Sequence, residues 1–284
     1  MTDQGRFAVG FMPAPRVRAL STRRRTARIG RMKIYPIPAF GDNYLWLAVH
    51  EGHALAVDPG DAAPVAAMLE RHALKLDAIL VTHHHSDHID GIGELVQRYG
   101  ARVFGPADER IALIDEHVTE GSRIELPQLG CSFRVLEVPG HTRSHIAWYG
   151  GDALFCGDTL FAAGCGRLFE GSPEQMWHSL SRIASLPLHT QIYCAHEYTE
   201  ANLRFALAVE PDNQALIARA RRVARLRAAG QPSVPFALAD ELATNPFMRV
   251  REPAVIRRAC EHTGRMLPGA VDVFAALREW KNTF

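Results

Sequence analysis

Cysteine is scarce and unpaired in this chain: five residues, Cys131, Cys156, Cys165, Cys194 and Cys260, are scattered over 284 with no Cys-x-x-Cys. A disulfide framework is therefore excluded, and a reducing compartment is the natural setting. The commonest role for such a free cysteine is that of a small buried hydrophobe. Net charge is equally scarce at +1, so no global field invites nucleic acid. Long apolar runs are missing too, none approaching the roughly 18 to 20 residues of a membrane-spanning helix. A soluble protein without nucleic acid or membrane partners is expected. No internal repeat is present.

Residues 1–31 stand apart, with eight arginines against one acid, Asp3. This Arg-rich leader is expected to lie outside the fold, as a disordered tail or a stretch upstream of a start at Met32. Cytoplasmic localisation follows, or mitochondrial localisation if the leader is a transit peptide. From Met32 short apolar runs bounded by turns predict strands at 33–37, 44–49, 54–57, 78–81, 101–104, 132–138, 146–149, 153–156 and 191–194. Helical spacing at 63–72, 92–99 and 173–184 interleaves with them, so residues 32–198 read as a layered α/β domain. After about Tyr198 the strands stop, and helices are expected at 200–210, 213–229, 255–262 and 269–280, making 199–284 a helical appendage.

Against this background Thr82-His83-His84-His85-Ser86-Asp87-His88 packs four histidines and a carboxylate into seven residues. It follows the apolar run Ala78 to Val81, on a loop leaving a buried strand. A terminal tag or surface histidine tract would lack that flanking strand. Neutral imidazole and carboxylate suit zinc first, with iron or manganese also accommodated. His84, next to both His83 and His85 in an extended segment, points away from their shared side. The cluster supplies only part of each coordination sphere, and three later strand ends offer the rest: Pro139-Gly140-His141, Gly157-Asp158 and Ala195-His196. Each alone is a weak signal, since a strand-end Asp or His is more often a cap. Counted together they complete two sets: His83, His85 and His141 on one ion, Asp87, His88 and His196 on the other, with Asp158 bridging. Asp158 then also positions a hydroxide shared by two divalent ions, with Asp87 beside it. His145 stays off the ligand list, as a supporting residue or one turned into the next strand.

With these motifs on the page the chain resembles the glyoxalase II (hydroxyacylglutathione hydrolase) family of the metallo-β-lactamase superfamily, over nearly everything from Met32 to Phe284. The superfamily pattern rests on the histidine cluster, Gly140-His141, Gly157-Asp158 and His196. The family pattern rests on Gly157-Asp158-Thr159-Leu160-Phe161, Gly164-Cys165-Gly166-Arg167 with Glu170-Gly171, His196-Glu197-Tyr198-Thr199, Asn245-Pro246-Phe247-Met248-Arg249 and Arg278-x-x-Lys281. The resemblance implies an αββα sandwich with a C-terminal helical domain, and hydrolysis of S-D-lactoylglutathione to D-lactate and glutathione, the second step of methylglyoxal detoxification.

It also implies that Arg167, Tyr198, Arg278 and Lys281 contact the glutathione part, whose two carboxylates suit fixed cations. Without the family, Arg278 and Lys281, one helical turn apart, read as ordinary surface charge. Arg167 stands where many relatives carry lysine. Phe169 lies in a stretch where an aromatic hydroxyl can help to bind glutathione, and Ser144 replaces a usual glycine. The substrate is thus a small glutathione thioester, and a monomer is expected. The nearest rival in the fold is a persulfide dioxygenase with one iron; a β-lactamase or lactonase, and a metal scaffold without turnover, are further off.

Overall fold

The computed structural model describes Arg28, Ile29 and residues 32–284. The leader's other residues lie outside the described set, and with them the readings of a disordered tail, an upstream stretch and a transit peptide. Arg28–Ile29, which the sequence assigns to the leader, forms a short strand β1 on the sheet edge, paired with Met32–Lys33.

The first sheet continues with β2 (Met32–Ala39), β3 (Asn43–His50) and β4 (His53–Val57), all antiparallel. Helix α1 (Ala62–Arg71), capped by the Asp61 carboxylate on the Ala63 N–H, returns the chain to β5 (Lys75–Leu80), parallel to β4. One turn, α2 (Ser86–Ile89), and α3 (Ile92–Tyr99) precede β6 (Arg102–Pro106) and β7 (Glu116–Val118), both parallel additions.

The second sheet begins with β8 (Arg123–Leu126), β9 (Cys131–Glu137), β10 (Ile146–Gly150) and β11 (Ala153–Gly157), again antiparallel. A small hairpin of β12 (Leu160–Phe161) and β13 (Gly164–Cys165) follows. Helix α4 (Pro173–Ala184) starts at a Ser172/Gln175 capping box and leads to β14 (Gln191–Cys194), parallel to β11. The rest is α5 (Thr199–Val209), α6 (Gln214–Ala228), β15 (Phe236–Ala237), α7 (Leu238–Thr244), α8 (Pro253–Thr263) and α9 (Ala270–Thr283).

Period-2 alternation explains the layers. In β3, Tyr44, Trp46 and Ala48 enter the core between the sheets, where Phe133, Trp148 and Phe155 meet them, while Leu45 and Leu47 enter a second core under α1 and α3. Met176, Leu180 and Ile183 of α4 belong to the first core, on the far side of the second sheet. The result is the αββα sandwich. One expectation needs correcting: strands do not stop at Tyr198, because β15 pairs antiparallel with β14 from within the helical region. Two residues are too few to carry a strand's alternation, which is why the sequence hides them. The three-residue β7 and the two-residue β12 and β13 escape for the same reason. Among the described residues no helix is long and apolar enough to cross a membrane.

Candidate metal centre

Strand direction creates the site. Because β9 and β11 are both antiparallel to β10, they point the same way, and β14 runs parallel to β11. The segments after β9, β11 and β14 therefore emerge at one end of the second sheet, carrying His141, Asp158 and His196. The loop after β5 joins them, the Ile146 N–H donating to the Thr82 carbonyl at 3.0 Å. Gly157, at φ +47°, makes the approach possible: a Cβ there would lie 2.4 Å from Thr82 Oγ1 and 2.9 Å from the His145 ring.

Ligand-type atoms of His83, His85, His141 and Asp158 lie within 4.8 Å of one another, as do those of Asp87, His88 and His196. In the first group His85 Nδ1 is 3.1 Å from His83 Nε2 and 3.0 Å from His141 Nε2, and His141 Nε2 is 3.4 Å from Asp158 Oδ2. Four donors about 2.05 Å from one ion at tetrahedral angles would stand about 3.3 Å apart, so the spacing fits. In the second group Asp158 Oδ1 faces His196 Nε2 at 3.3 Å and His88 Nε2 at 3.6 Å, and Asp87 Oδ2 lies 3.5 and 3.6 Å from the same nitrogens. One oxygen of Asp158 thus looks into each group. Asp158 Oδ1 and His88 Nε2 are buried without a hydrogen-bond partner. Orphaned polar atoms are costly unless something occupies the space between them, and a cation satisfies both.

Electrostatics separate the two groups. Burial, with the neighbouring histidines, pushes His83 well down, and burial brings His85 down to about 4, so both are neutral and able to ligate. For His88 and His196 burial opposes protonation, but Asp158 and other carboxylates outweigh it, raising His88 and taking His196 to about 9. Burial likewise opposes ionisation of Asp158, yet His196, His88 and His141 hold its carboxyl far below the usual range. The second group thus sets two imidazoles drawn towards the charged form against the carboxylates of Asp158 and Asp87.

Supporting contacts are specific. Asp58 accepts the Thr82 N–H and Oγ1–H at 2.7 Å each, and its Oδ2 lies 3.1 Å from His88 Nδ1 without full hydrogen-bond alignment. Asp58 also clusters with His83 and His88, but those bonds make it a brace. His141 Nδ1 donates to the Arg167 carbonyl at 2.8 Å, which leaves Nε2 for the site. His145 is buried and stacked on His83 at 4.5 Å; its Nδ1 meets the Ile146 carbonyl at 3.0 Å and its Nε2 accepts the Asp158 N–H at 3.2 Å. Both nitrogens are engaged, so it supports Asp158. His84 turns away to Asp108 and Glu170, each 3.6 Å distant, and Ser144 Oγ donates to Asp108.

The residues named for glutathione spread over a neighbouring surface. Tyr198 stacks on His196 at 4.7 Å and 2°, and burial together with Asp42, Asp158 and Asp87 raises its phenol, which stays protonated. Arg167 is exposed. Arg278 corrects the reading as surface charge: it is 6% exposed, donates to the Cys165 carbonyl at 2.9 Å and lies over Phe247. Burial, then the guanidinium groups of Arg278, Arg204 and Arg167, lowers the pKa of Lys281. Arg204 is thus a fourth cation of this group; one exposed arginine on a helix gives no signal that sequence reasoning could have used. Also unforeseen are Asp42, 2.9 Å from His196 Nδ1, and Asn43, which donates to Asp87 Oδ2 at 2.8 Å.

Similarity to known proteins runs through almost all of the described residues. Residues 39–196 match the metallo-beta-lactamase superfamily and residues 197–284 the hydroxyacylglutathione hydrolase C-terminus. A hydroxyacylglutathione hydrolase of Methylobacillus flagellatus is 54% identical over 252 residues, covering 89% of this chain and 99% of the relative. Among solved structures, ETHE1 from Myxococcus xanthus aligns with TM-score 0.59 and 25% identity over 89% of this chain and 98% of its own. TTHA1623 in a di-iron-bound form aligns with TM-score 0.50 and 28% identity over 57% and 91%.

Proposed function

The chain belongs to the hydroxyacylglutathione hydrolase family of the metallo-β-lactamase superfamily, and from that membership we infer how its site works. It hydrolyses the thioester of S-D-lactoylglutathione to D-lactate and glutathione, the second step of methylglyoxal detoxification. We assign the chemistry to residues 32–198, and to 199–284 a share of the glutathione site. His83, His85 and His141 would hold one divalent ion, Asp87, His88 and His196 a second, and Asp158 both. Zinc is the first assignment, and iron or manganese fits the same donors. When bound, such ions supply Lewis acidity and lower the pKa of a water towards about 7.

The chain's own residues do the rest. The carboxyl groups of Asp158 and Asp87 orient the attacking water, and Tyr198 keeps its proton as a donor. Arg167, Arg278 and Lys281 take the carboxylates of glutathione. A thiolate whose parent thiol has a pKa near 8.5 leaves without a general acid. Cys156, Cys165 and Cys194 are not the nucleophile, because burial raises them and keeps them protonated. All seven donors come from one chain, which is compatible with the monomer we propose, and five free cysteines fit the cytoplasm.

The observation that carries the two-ion reading is the split of Asp158, one oxygen facing each group; a one-iron dioxygenase has no use for it. Steady-state hydrolysis of S-D-lactoylglutathione, with metal quantified on the same sample, is the test. Turnover with about two ions per chain is expected, falling on the order of 10³-fold or more in Asp158→Ala. A fully loaded sample that does not hydrolyse would sink the reading and direct attention to oxygen consumption with glutathione persulfide.

A further inference from the structure

We propose that Asp42, in the turn between β2 and β3, and Asn43, the first residue of β3, are positioning residues for the second ion group alone. The inference rests on the two-ion reading above. Gly41-Asp42-Asn43 looks like ordinary turn chemistry, in which such residues sit in solvent and bond to their own backbone. Asn43 does neither: it is 5% exposed and its Nδ2 donates to Asp87 Oδ2 at 2.8 Å. That oxygen is the one nearest His88 and His196. The Asp87 side chain is 35% exposed and free to swing towards water without a donor holding it. Asp42 Oδ1 lies 2.9 Å from His196 Nδ1, which fixes the ring so that Nε2 is the nitrogen facing Asp158 and Asp87.

The turn cannot drift from these partners. The Tyr44 N–H donates to the Ala195 carbonyl at 2.7 Å, the Glu197 N–H donates to the Asp42 carbonyl at 2.8 Å, and Asn43 forms an antiparallel bridge with His196. The first group is held by other means: Thr82 Oγ1 is 3.0 Å from His83 Nδ1, and the Arg167 carbonyl takes His141 Nδ1 at 2.8 Å. Asp58 touches both groups, through Thr82 and through His88, whereas Asp42 and Asn43 reach the second alone, from a segment about 150 residues upstream of His196.

The test strips the full chain with chelator, reloads it with zinc, and measures both affinities by chelator competition, without reference to turnover. Asp42→Ala and Asn43→Ala should each weaken the second ion by about 10- to 100-fold and leave the first unchanged. Asp42→Asn, which keeps an acceptor for Nδ1–H, should retain most of the affinity, and Phe40→Ser in the same turn should keep both ions at full strength. Thermal unfolding of the stripped proteins separates positioning from loss of fold; Asn43→Ser, a smaller change, stands in if the alanine variant unfolds. Wild-type affinity for both ions in the alanine variants, or equal weakening of the two, would overturn the proposal. Wild-type protein that binds a single ion would instead overturn the two-ion reading beneath it.

Discussion

At the ion end of the site seven donors arise from four segments that leave strand ends, and five of them, His83, His88, His141, Asp158 and His196, are buried. At the end proposed for glutathione Arg167, Arg204, Arg278 and Lys281 arise from one loop and two helices, and of these only Arg278 is buried. Burial makes the ion end interdependent, since Asp158 and Asp87 raise His88 and His196, and those two with His141 hold the Asp158 carboxyl down. The cations stand in or near water, where contributions are small and closer to additive. Damage at the first end should be all or nothing, and at the second graded.

The largest expected effect would break that contrast, because one part of the glutathione end does hang on a buried network. Arg219 pairs with Glu241, both almost fully enclosed. Glu241 accepts the Ala163 N–H at 2.9 Å and Asn245 Nδ2–H at 2.7 Å, and Asn245 donates to the Gly164 carbonyl at 2.9 Å. This fixes the β12–β13 hairpin, whose Cys165 carbonyl receives Arg278 and whose exit leads to Arg167. Arg219→Ala strands a carboxylate that burial already pushes up, so a loss of about 3 to 5 kcal/mol is expected by denaturant unfolding. Arg219→Met with Glu241→Leu should recover much of it. A single-variant loss below about 1 kcal/mol would show that the hairpin stands without the pair.

Next in size is Arg278→Ala. If the guanidinium serves a substrate carboxylate, charge-assisted bonds of about 1.5 to 3 kcal/mol are lost, and KM for S-D-lactoylglutathione should rise roughly 10- to 100-fold with kcat little changed. Lys281→Ala should act in the same direction and less strongly. A fall in kcat at constant KM would mean that Arg278 acts through the Cys165 carbonyl on the hairpin rather than on substrate.

What was legible in the sequence follows the same division. The donors could be read because metal ligation demands particular side chains at strand ends, and strand ends show as breaks in an apolar run; the family pattern then supplied Arg278 and Lys281. Their surroundings could not be read. Nothing in Arg278-x-x-Lys281 distinguishes a guanidinium over Phe247 from one in solvent, and nothing in Gly41-Asp42-Asn43 shows that Asp42 and Asn43 reach His196 and Asp87. Both depend on pairings between segments distant in the chain. The layered fold was visible through alternation, whereas β15 and the β12–β13 hairpin were too short for a period to register.

The smallest effect is the most informative about where the two ends meet. Phe169 is 64% exposed, presents its ring to His85 and His141 at 5.6 and 5.2 Å, and its N–H donates to the His141 carbonyl at 3.2 Å. It follows Arg167 by two residues, so a single loop touches both an ion donor and the cation cluster. Phe169→Tyr adds one hydroxyl to an exposed ring at little cost to the fold. A neutral hydrogen bond to glutathione is worth about 0.5 to 1.5 kcal/mol, which predicts a roughly 2- to 10-fold lower KM and an unchanged kcat. A change in kcat would mean that the ring governs His85 and His141 instead, and that the two ends are mechanically one.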